Sequence, residues 1–282
     1  MTAPLGPLRS VLFTPADKPD RARRIAETQP DCIVLDLEDG VGIADKASAR
    51  TALAGFAQAL AEHGRPTVVL VRVNAIDTEW FADDMAAVAA ISFDGVVVPK
   101  VERVTDAETV RSHLGASPAA LLLAGIESAA GVATCEVTLG RGSFDACYFG
   151  AEDFITDMGG VRTPAGTEVL YARSRVALAA RLGRIPAVDQ IVSSFRDDDA
   201  FRADARLGRE IGFSGKLCIH PAQVALAHEI YRATEAELIR ARHIVAAFES
   251  RDGHGGVVSY DGEMIDAPML TRARDLLARN GQ

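Results

Sequence analysis

Short apolar runs rich in β-branched residues recur along the chain, and each is followed by a stretch with the three-to-four-residue period of an amphipathic helix. The runs are Ser10–Pro15, Cys32–Glu38, Thr67–Asn74, Gly95–Val101, Ala120–Ser128, Ala146–Asp153, Ile185–Asp189 and Gly215–Pro221. Most are continuously apolar rather than alternating, as expected of strands covered on both faces. The helical patterns between them are Pro19–Gln29, Ala44–Glu62, Asp77–Ala90, Thr105–Leu114, Ala129–Leu139, Gly166–Leu182 and Asp198–Ile211. This alternation predicts an α/β fold, a (β/α)8 TIM barrel over residues 1–221. An open doubly wound sheet is the alternative. The seventh run is the weakest strand, being short and holding Pro186. Residues 222–282 are more than a barrel needs. A long helical stretch, Pro221–Phe248, is broken at Asp252-Gly253-His254-Gly255-Gly256. A strand-like Val257–Tyr260, a turn at Asp261-Gly262, the segment Met264–Pro268 and a last helix Met269–Arg279 then form a C-terminal helical lid extension.

A length of 282 residues suits one such barrel with a tail. Apolar residues make up 48% and charged residues 24%, the balance of a globular chain. The net charge of −9 argues against a basic surface for nucleic acid. The apolar runs fall far short of the ~20 residues of a membrane span, so no membrane partner is expected. Met1 to Arg9 lacks the apolar core of a signal peptide. Cys32, Cys135, Cys147 and Cys218 form no CxxC pair and read as small buried hydrophobes in a reducing, cytoplasmic compartment.

Polar residues collect where the strands end, which is where a barrel enzyme carries its chemistry. The second run ends in Asp36, Glu38 and Asp39, the third in Arg72 and Asn74, the fourth in Lys100 and Glu102. The fifth ends in Glu127, the sixth in Glu152 and Asp153, and the eighth spans Lys216 to His220. Residues two apart on a strand share a face, which pairs Asp36 with Glu38 and Arg72 with Asn74. Buried carboxylates need cations, and Arg72, Lys100 and a metal ion would supply them. Oxygen donors without paired His or Cys favour Mg2+, or Mn2+, over Zn2+, and Mg2+ commonly takes only one or two protein carboxylates. Glu127 and Asp153 are the candidate pair. Glu102 and Lys216 read equally as salt-bridge partners, and His220 as a structural hydrogen-bonding residue. The Gly150-Ala151-Glu152-Asp153 segment reads as a loop whose backbone N–H groups form a nest for a substrate carboxylate.

Seven segments in register resemble the citrate lyase β-subunit family, which includes malyl-CoA and citramalyl-CoA lyases. They are Arg9-Ser10-Val11-Leu12-Phe13-Thr14-Pro15, Leu35-Asp36-Leu37-Glu38-Asp39-Gly40-Val41 with Asp45-Lys46 and Arg50 downstream, Val71-Arg72-Val73-Asn74, Val98-Pro99-Lys100-Val101-Glu102, Gly125-Ile126-Glu127-Ser128, Gly150-Ala151-Glu152-Asp153 and Gly215-Lys216-Leu217-Cys218-Ile219-His220-Pro221. The resemblance implies a Mg2+-dependent barrel that breaks or forms a C–C bond beside a CoA thioester. Glu127 and Asp153 would hold the metal. Arg72 would stabilise an enolate oxygen, with Asp36, Glu38 and Asp39 orienting water and Arg72. Gly150, Ala151 and Glu152 would hold the keto-acid carboxylate.

Gly262-Glu263-Met264-Ile265-Asp266-Ala267-Pro268 resembles the tail of the CoA-thioester lyases, whose Asp exchanges a proton with the acyl-CoA α-carbon. Asp266 takes that role by resemblance. The competing reading is that it only caps the last helix. A tail acting in a neighbouring subunit implies a closed homo-oligomer, a trimer or hexamer. For CoA phosphates the candidates are Lys18, Arg21, Arg23 and Arg24, which would lie above the barrel mouth. The expected reaction is cleavage of a citryl-, citramalyl- or malyl-CoA-type thioester to an acyl-CoA and a keto acid. A thioesterase or malate-synthase-like reaction, or a role as a non-autonomous subunit, are the alternatives.

Overall fold

The computed structural model describes residues 6–64, 68–91, 93–115, 120–140, 142–249 and 257–280. Thr67, at the start of the third run, and the break at Asp252–Gly256 lie outside them. Eight parallel strands close into a barrel in chain order, β1 hydrogen-bonding to both β2 and β8. They are β1 (Ser10–Pro15), β2 (Cys32–Asp36), β3 (Val68–Arg72), β4 (Gly95–Val98), β5 (Leu121–Ile126), β6 (Ala146–Phe149), β7 (Ala187–Asp189) and β8 (Gly215–Cys218). The helices of this unit are α1 (Ala22–Thr28), α2 (Lys46–His63), α3 (Phe81–Ala89), α4 (Thr105–Leu114), α5 (Ala129–Thr138), α6 (Ala151–Asp157), α7 (Thr167–Gly183), α8 (Asp198–Ile211) and α9 (Ala222–Tyr231). The sheet is closed, so the open-sheet alternative falls.

Both faces of each strand are buried, which accounts for the continuous apolar runs. Ile33, Leu35, Val96, Val98 and Leu122 face the helices. Val11, Cys32, Val34, Leu70, Val97, Leu123, Ala146, Tyr148 and Leu217 fill the barrel interior. The two-residue period carries the interior rows upward into polar positions. Val34 leads to Asp36, Leu70 to Arg72, and Leu123 through Gly125 to Glu127. The site is therefore the top layer of the barrel's own filling.

β7 is only three residues long, because Pro186 cannot donate to a ladder. It pairs two residues to β6 and two to β8. Behind it, facing the helices, lies a buried ionic group. Arg173 of α7 donates to both Asp189 oxygens at 2.8 and 2.6 Å. Lys216 donates to Asp189 at 2.7 Å, and Asp204 of α8 accepts from Lys216 and Arg173. Lys216 is thus a salt-bridge partner.

Two segments differ from the pattern their sequence suggests. The stretch Pro221–Phe248 is two helices, α9 and α10 (Glu235–Glu249). The break is set by a capping box, in which Thr234 N–H donates to Glu237 Oε2 and Glu237 N–H to Thr234 Oγ1. The segment after β6 is also not a loop, because helix α6 begins at Ala151.

The described chain forms two compact units, Met1–Tyr231 and Arg232–Gln282. The second holds α10, an antiparallel hairpin of β9 (Val257–Tyr260) and β10 (Glu263–Asp266), and α11 (Ala267–Arg279). Ala241, Ile244, Val258, Ile265 and Ala273 make its core. The hairpin turn places Asp261 and Gly262 at φ 50° and 77°, the left-handed pair that a two-residue hairpin loop requires. Among the described residues no helix is long and apolar enough to cross a membrane.

Candidate active site

A cavity of about 390 Å3 opens at the carboxyl ends of the strands, lined among others by Phe13, Asp36, Arg72, Glu127, Tyr148 and Asp153. Arg72 is the last residue of β3. Its Nε and Nη2 donate to the two Asp36 oxygens, each at 2.7 Å. Its Nη1 lies 3.0 Å from Glu38 Oε2 and 3.9 Å from Asp39 at the rim. The guanidinium also stacks over the Phe13 ring, 5.0 Å from its centroid. Burial opposes both charges of the Arg72–Asp36 pair. Arg72 nevertheless holds the Asp36 carboxyl below the usual range, and Asp36 raises Arg72 well above its own. Asp36 is held in turn by the N–H groups of Glu38 and Gly40. This cation is fixed before any substrate arrives.

Arg72 and Asn74 do not share a face. β3 ends at Arg72, and although Val73 still faces the helices with Val69 and Val71, Asn74 leaves the interior row. Asn74 instead turns behind the site, donating to Asp84 at 2.6 Å and accepting from Lys46 at 2.7 Å. Lys46, whose ammonium also bonds Leu37 O and Glu38 O, fixes the loop carrying Glu38 and Asp39. Nothing in the local pattern of α2 shows what this lysine meets, since its partners come from β2 and β3.

Glu127 stands just past β5, only 2% exposed. Its Oε2 has no hydrogen-bond partner, nor has the hydroxyl of Tyr148. Burial, reinforced by the charge of Glu38, pushes the Glu127 carboxyl up to about 8. Glycines make room for it. A Cβ at Gly125 would lie 2.5 Å from the Tyr148 hydroxyl and 2.7 Å from Glu127 Oε1, and one at Gly150 would lie 2.5 Å from Glu127 Cγ. Burial likewise raises Glu38, against the pull of Arg72. Lys100 reaches Glu38 at 2.9 Å and Asp153 at 3.5 Å.

Asp153 sits not at a strand end but in the first turn of α6. The Gly150 N–H is bonded to Ile126 O at 3.0 Å, so the nest read from the sequence is instead a helix start. The free amides there are those of Ala151, Glu152 and Asp153. Glu152 faces Arg162 at 3.5 Å. Glu102 accepts from Ser128 Oγ at 2.6 Å, a structural contact, and His220 Nδ1 accepts from the Ala222 N–H.

Arg21 and Arg24 line a second cavity of about 270 Å3 that shares Phe13, Thr14 and Ile219 with the first. Lys18 is outside its lining and pairs with Asp17, while Arg23 lies near Glu27. Asp266 caps α11, its Oδ1 accepting from the Met269 N–H at 3.1 Å. In β10 it alternates with the buried Ile265 and shares the outward face with Met264, which is 70% exposed.

A buried carboxylate with an unpartnered oxygen, a second carboxylate and a pre-set guanidinium in one barrel mouth define a charge-stabilising enzyme site. The chain belongs to the HpcH/HpaI aldolase/citrate lyase family, whose pattern matches residues 9–221, and it is a lyase-type enzyme. It is 47% identical to a citrate lyase subunit beta-like protein of Deinococcus radiodurans over 99% of both chains. It is 33% identical to a (3S)-malyl-CoA thioesterase of Cereibacter sphaeroides, covering 97% of this chain and 94% of that one. Among solved structures, the protein CitE of Mycobacterium tuberculosis, in complex with magnesium, acetoacetate and coenzyme A, superposes with a TM-score of 0.82 at 31% identity over 99% of each chain.

Proposed function

We infer that this enzyme is a Mg2+-dependent carbon–carbon lyase of a 3-hydroxyacyl-CoA thioester, of the citryl-, citramalyl- or malyl-CoA type. The observation that carries the reading is Glu127, a fully buried carboxyl with an unpartnered oxygen in the same cavity as Arg72. A carboxylate so placed suits a hard cation, and Mg2+ is content with two protein carboxylates. Among the described residues no cluster of three or more acidic, His or Cys side chains converges as a closed metal cage. Glu127 and Asp153 would hold Mg2+, or Mn2+ in its place, which supplies Lewis-acid polarisation of the keto-acid oxygens.

The remaining chemistry falls to the chain's own groups. A base takes the proton of the 3-hydroxyl, the C2–C3 bond breaks, and the electron pair moves into the thioester as an enolate. The alcohol carbon becomes the carbonyl of the keto acid. Arg72, anchored by Asp36, faces the enolate oxygen. Glu38 and Asp39, which lie beside Arg72, would supply the base for the hydroxyl. The amides of Ala151 and Glu152, beside Gly150, would hold the keto-acid carboxylate. Asp266 would return a proton to the α-carbon, giving the acyl-CoA. Arg21 and Arg24, in the adjoining cavity, would take the CoA phosphates.

The test is a panel of hydroxyacyl-CoA thioesters assayed with and without Mg2+. Acyl-CoA plus keto acid, formed only with the cation, is the expected result. The similarity to a malyl-CoA thioesterase favours one second reading, hydrolysis, which would give free CoA and an intact hydroxy acid instead. Failure of the purified chain on every free thioester would point to a subunit that works only in an assembly.

A further inference from the structure

Lys100 stands two residues beyond β4, in phase with Val96 and Val98, which face the helices. Continued alternation would send its side chain to that outer layer. The backbone turns instead. Lys100 has φ 51°, in the left-handed region, where a residue with a Cβ is strained. The turn brings the ammonium to 2.9 Å from Glu38 Oε1 and 3.5 Å from Asp153 Oδ1. Strain kept at a site points to a use there.

The carboxyl groups of the mouth outnumber its cations. Asp36 is taken by Arg72, and Glu38 is shared between Arg72 and Lys100. Glu127 keeps an unpartnered oxygen, and Asp153 has the ammonium of Lys100 beside it.

We propose that Lys100 is a tethered counter-ion that competes with the divalent cation for Asp153, so that removing its charge tightens cation binding. The proposal rests on the assignment of Glu127 and Asp153 to Mg2+. A dication held by Asp153 must share that carboxylate with a positive charge already there, and like charges a few ångströms apart repel even where solvent reaches both side chains. Lys100 thereby keeps the mouth folded without the cation and weakens the cation's hold.

The experiment is calorimetric titration of Mg2+ into the metal-stripped full-length protein without substrate, in wild type, Lys100→Met and Lys100→Arg. Met keeps the length of the stem and drops the charge, while Arg keeps the charge. The expected result is about tenfold or tighter Mg2+ binding in K100M, as loss of one nearby positive charge implies, with K100R close to wild type. The melting midpoint of metal-free K100M should fall below that of wild type, and Mg2+ should raise it by more. If K100M folds only with Mg2+ present, the dependence of its midpoint on Mg2+ concentration gives the same affinity. Equal or weaker Mg2+ binding in K100M, beside a wild type that binds, overturns the role of Lys100 and leaves the metal assignment standing. A wild type that takes up no Mg2+ overturns both.

Discussion

Gly150→Ala isolates the fit between one backbone position and the buried carboxyl of Glu127. Gly150 has φ −96° and ψ 91°, which alanine adopts without strain. The three nearest heavy atoms to an added Cβ all belong to Glu127, at 2.5, 2.9 and 3.0 Å. The entropy alanine removes from the unfolded chain, ~0.4–1 kcal/mol, roughly offsets its inferiority to glycine as an N-cap. What remains is overpacking, ~1–3 kcal/mol. In a Glu127→Ala background Cγ, Cδ and Oε1 are gone, so the same change should cost close to nothing. The double-mutant cycle should therefore show a coupling of ~1–3 kcal/mol. The assay is urea unfolding at constant pH with the metal removed, followed by Trp80, the only tryptophan, just before α3. If Gly150→Ala costs as much without the Glu127 side chain as with it, the close approach is not what requires glycine, and the account of how Glu127 is housed fails. Mg2+ affinity gives an independent check, since a displaced Glu127 should bind the cation at least about tenfold more weakly.

Arg72→Lys keeps the charge but loses the two-pronged bond to Asp36. Its kcat should fall by ~10²–10³ with Mg2+ binding preserved, and a loss under tenfold would remove Arg72 from enolate stabilisation. Asp266→Asn should leave α11 equally stable, because asparagine caps as well as aspartate, while proton exchange at the α-carbon of acetyl- or propionyl-CoA stops; normal exchange would leave Asp266 only its capping role. Burial works to raise the Asp204 carboxyl, but Lys216 and Arg173 outweigh it and hold the pKa below the ordinary range. The stability it contributes is thus complete above the unfolded value, near pH 4, and is lost as pH falls through the lower folded value. Asp204→Asn should cost ~3 kcal/mol at pH 7, and its urea midpoint should fall less steeply than that of wild type below pH 4; parallel acid profiles would refute the pairing.

The barrel was legible because each strand is covered on both faces and must be apolar throughout, leaving polar residues visible at the ends. Asp36, Arg72 and Glu127 stood out for that reason, and the two-residue period placed them together. The period held one residue past β5, at Glu127, but failed two residues past the ends of β3 and β4. Asn74 continues the row of Arg72 in sequence but packs behind the site, and Lys100 belongs by phase to the outer layer but turns inward. Neither event has a local signature, since both depend on partners from other strands. The start of α6 was readable in principle, because Glu152 and Asp153 are acidic residues in a first helical turn, where the helix dipole favours them. The capping box at Thr234 and Glu237 was readable in the same way. Lys46 and Lys216 stood out as residues, Lys216 as a salt-bridge partner, but whom they meet (Asn74 for the first, Asp189 and Asp204 for the second) was not readable, because it is set by tertiary packing.

That ionic group has a kinetic consequence. A ring of eight strands opens first where its ladder is shortest, and β7 contributes two paired residues on each side. The charges of Arg173, Lys216, Asp189 and Asp204 lie directly behind that seam and hold it from outside the ladder. Removing one of those charges should therefore make partial opening begin at β7 and register as early amide hydrogen exchange there, ahead of the rest of the barrel. In chain order β3 lies four strands from β7 in either direction, across the ring. Arg72 is thus placed as far around the wall from that seam as the topology permits, and Asp36, on β2, stands three strands from it.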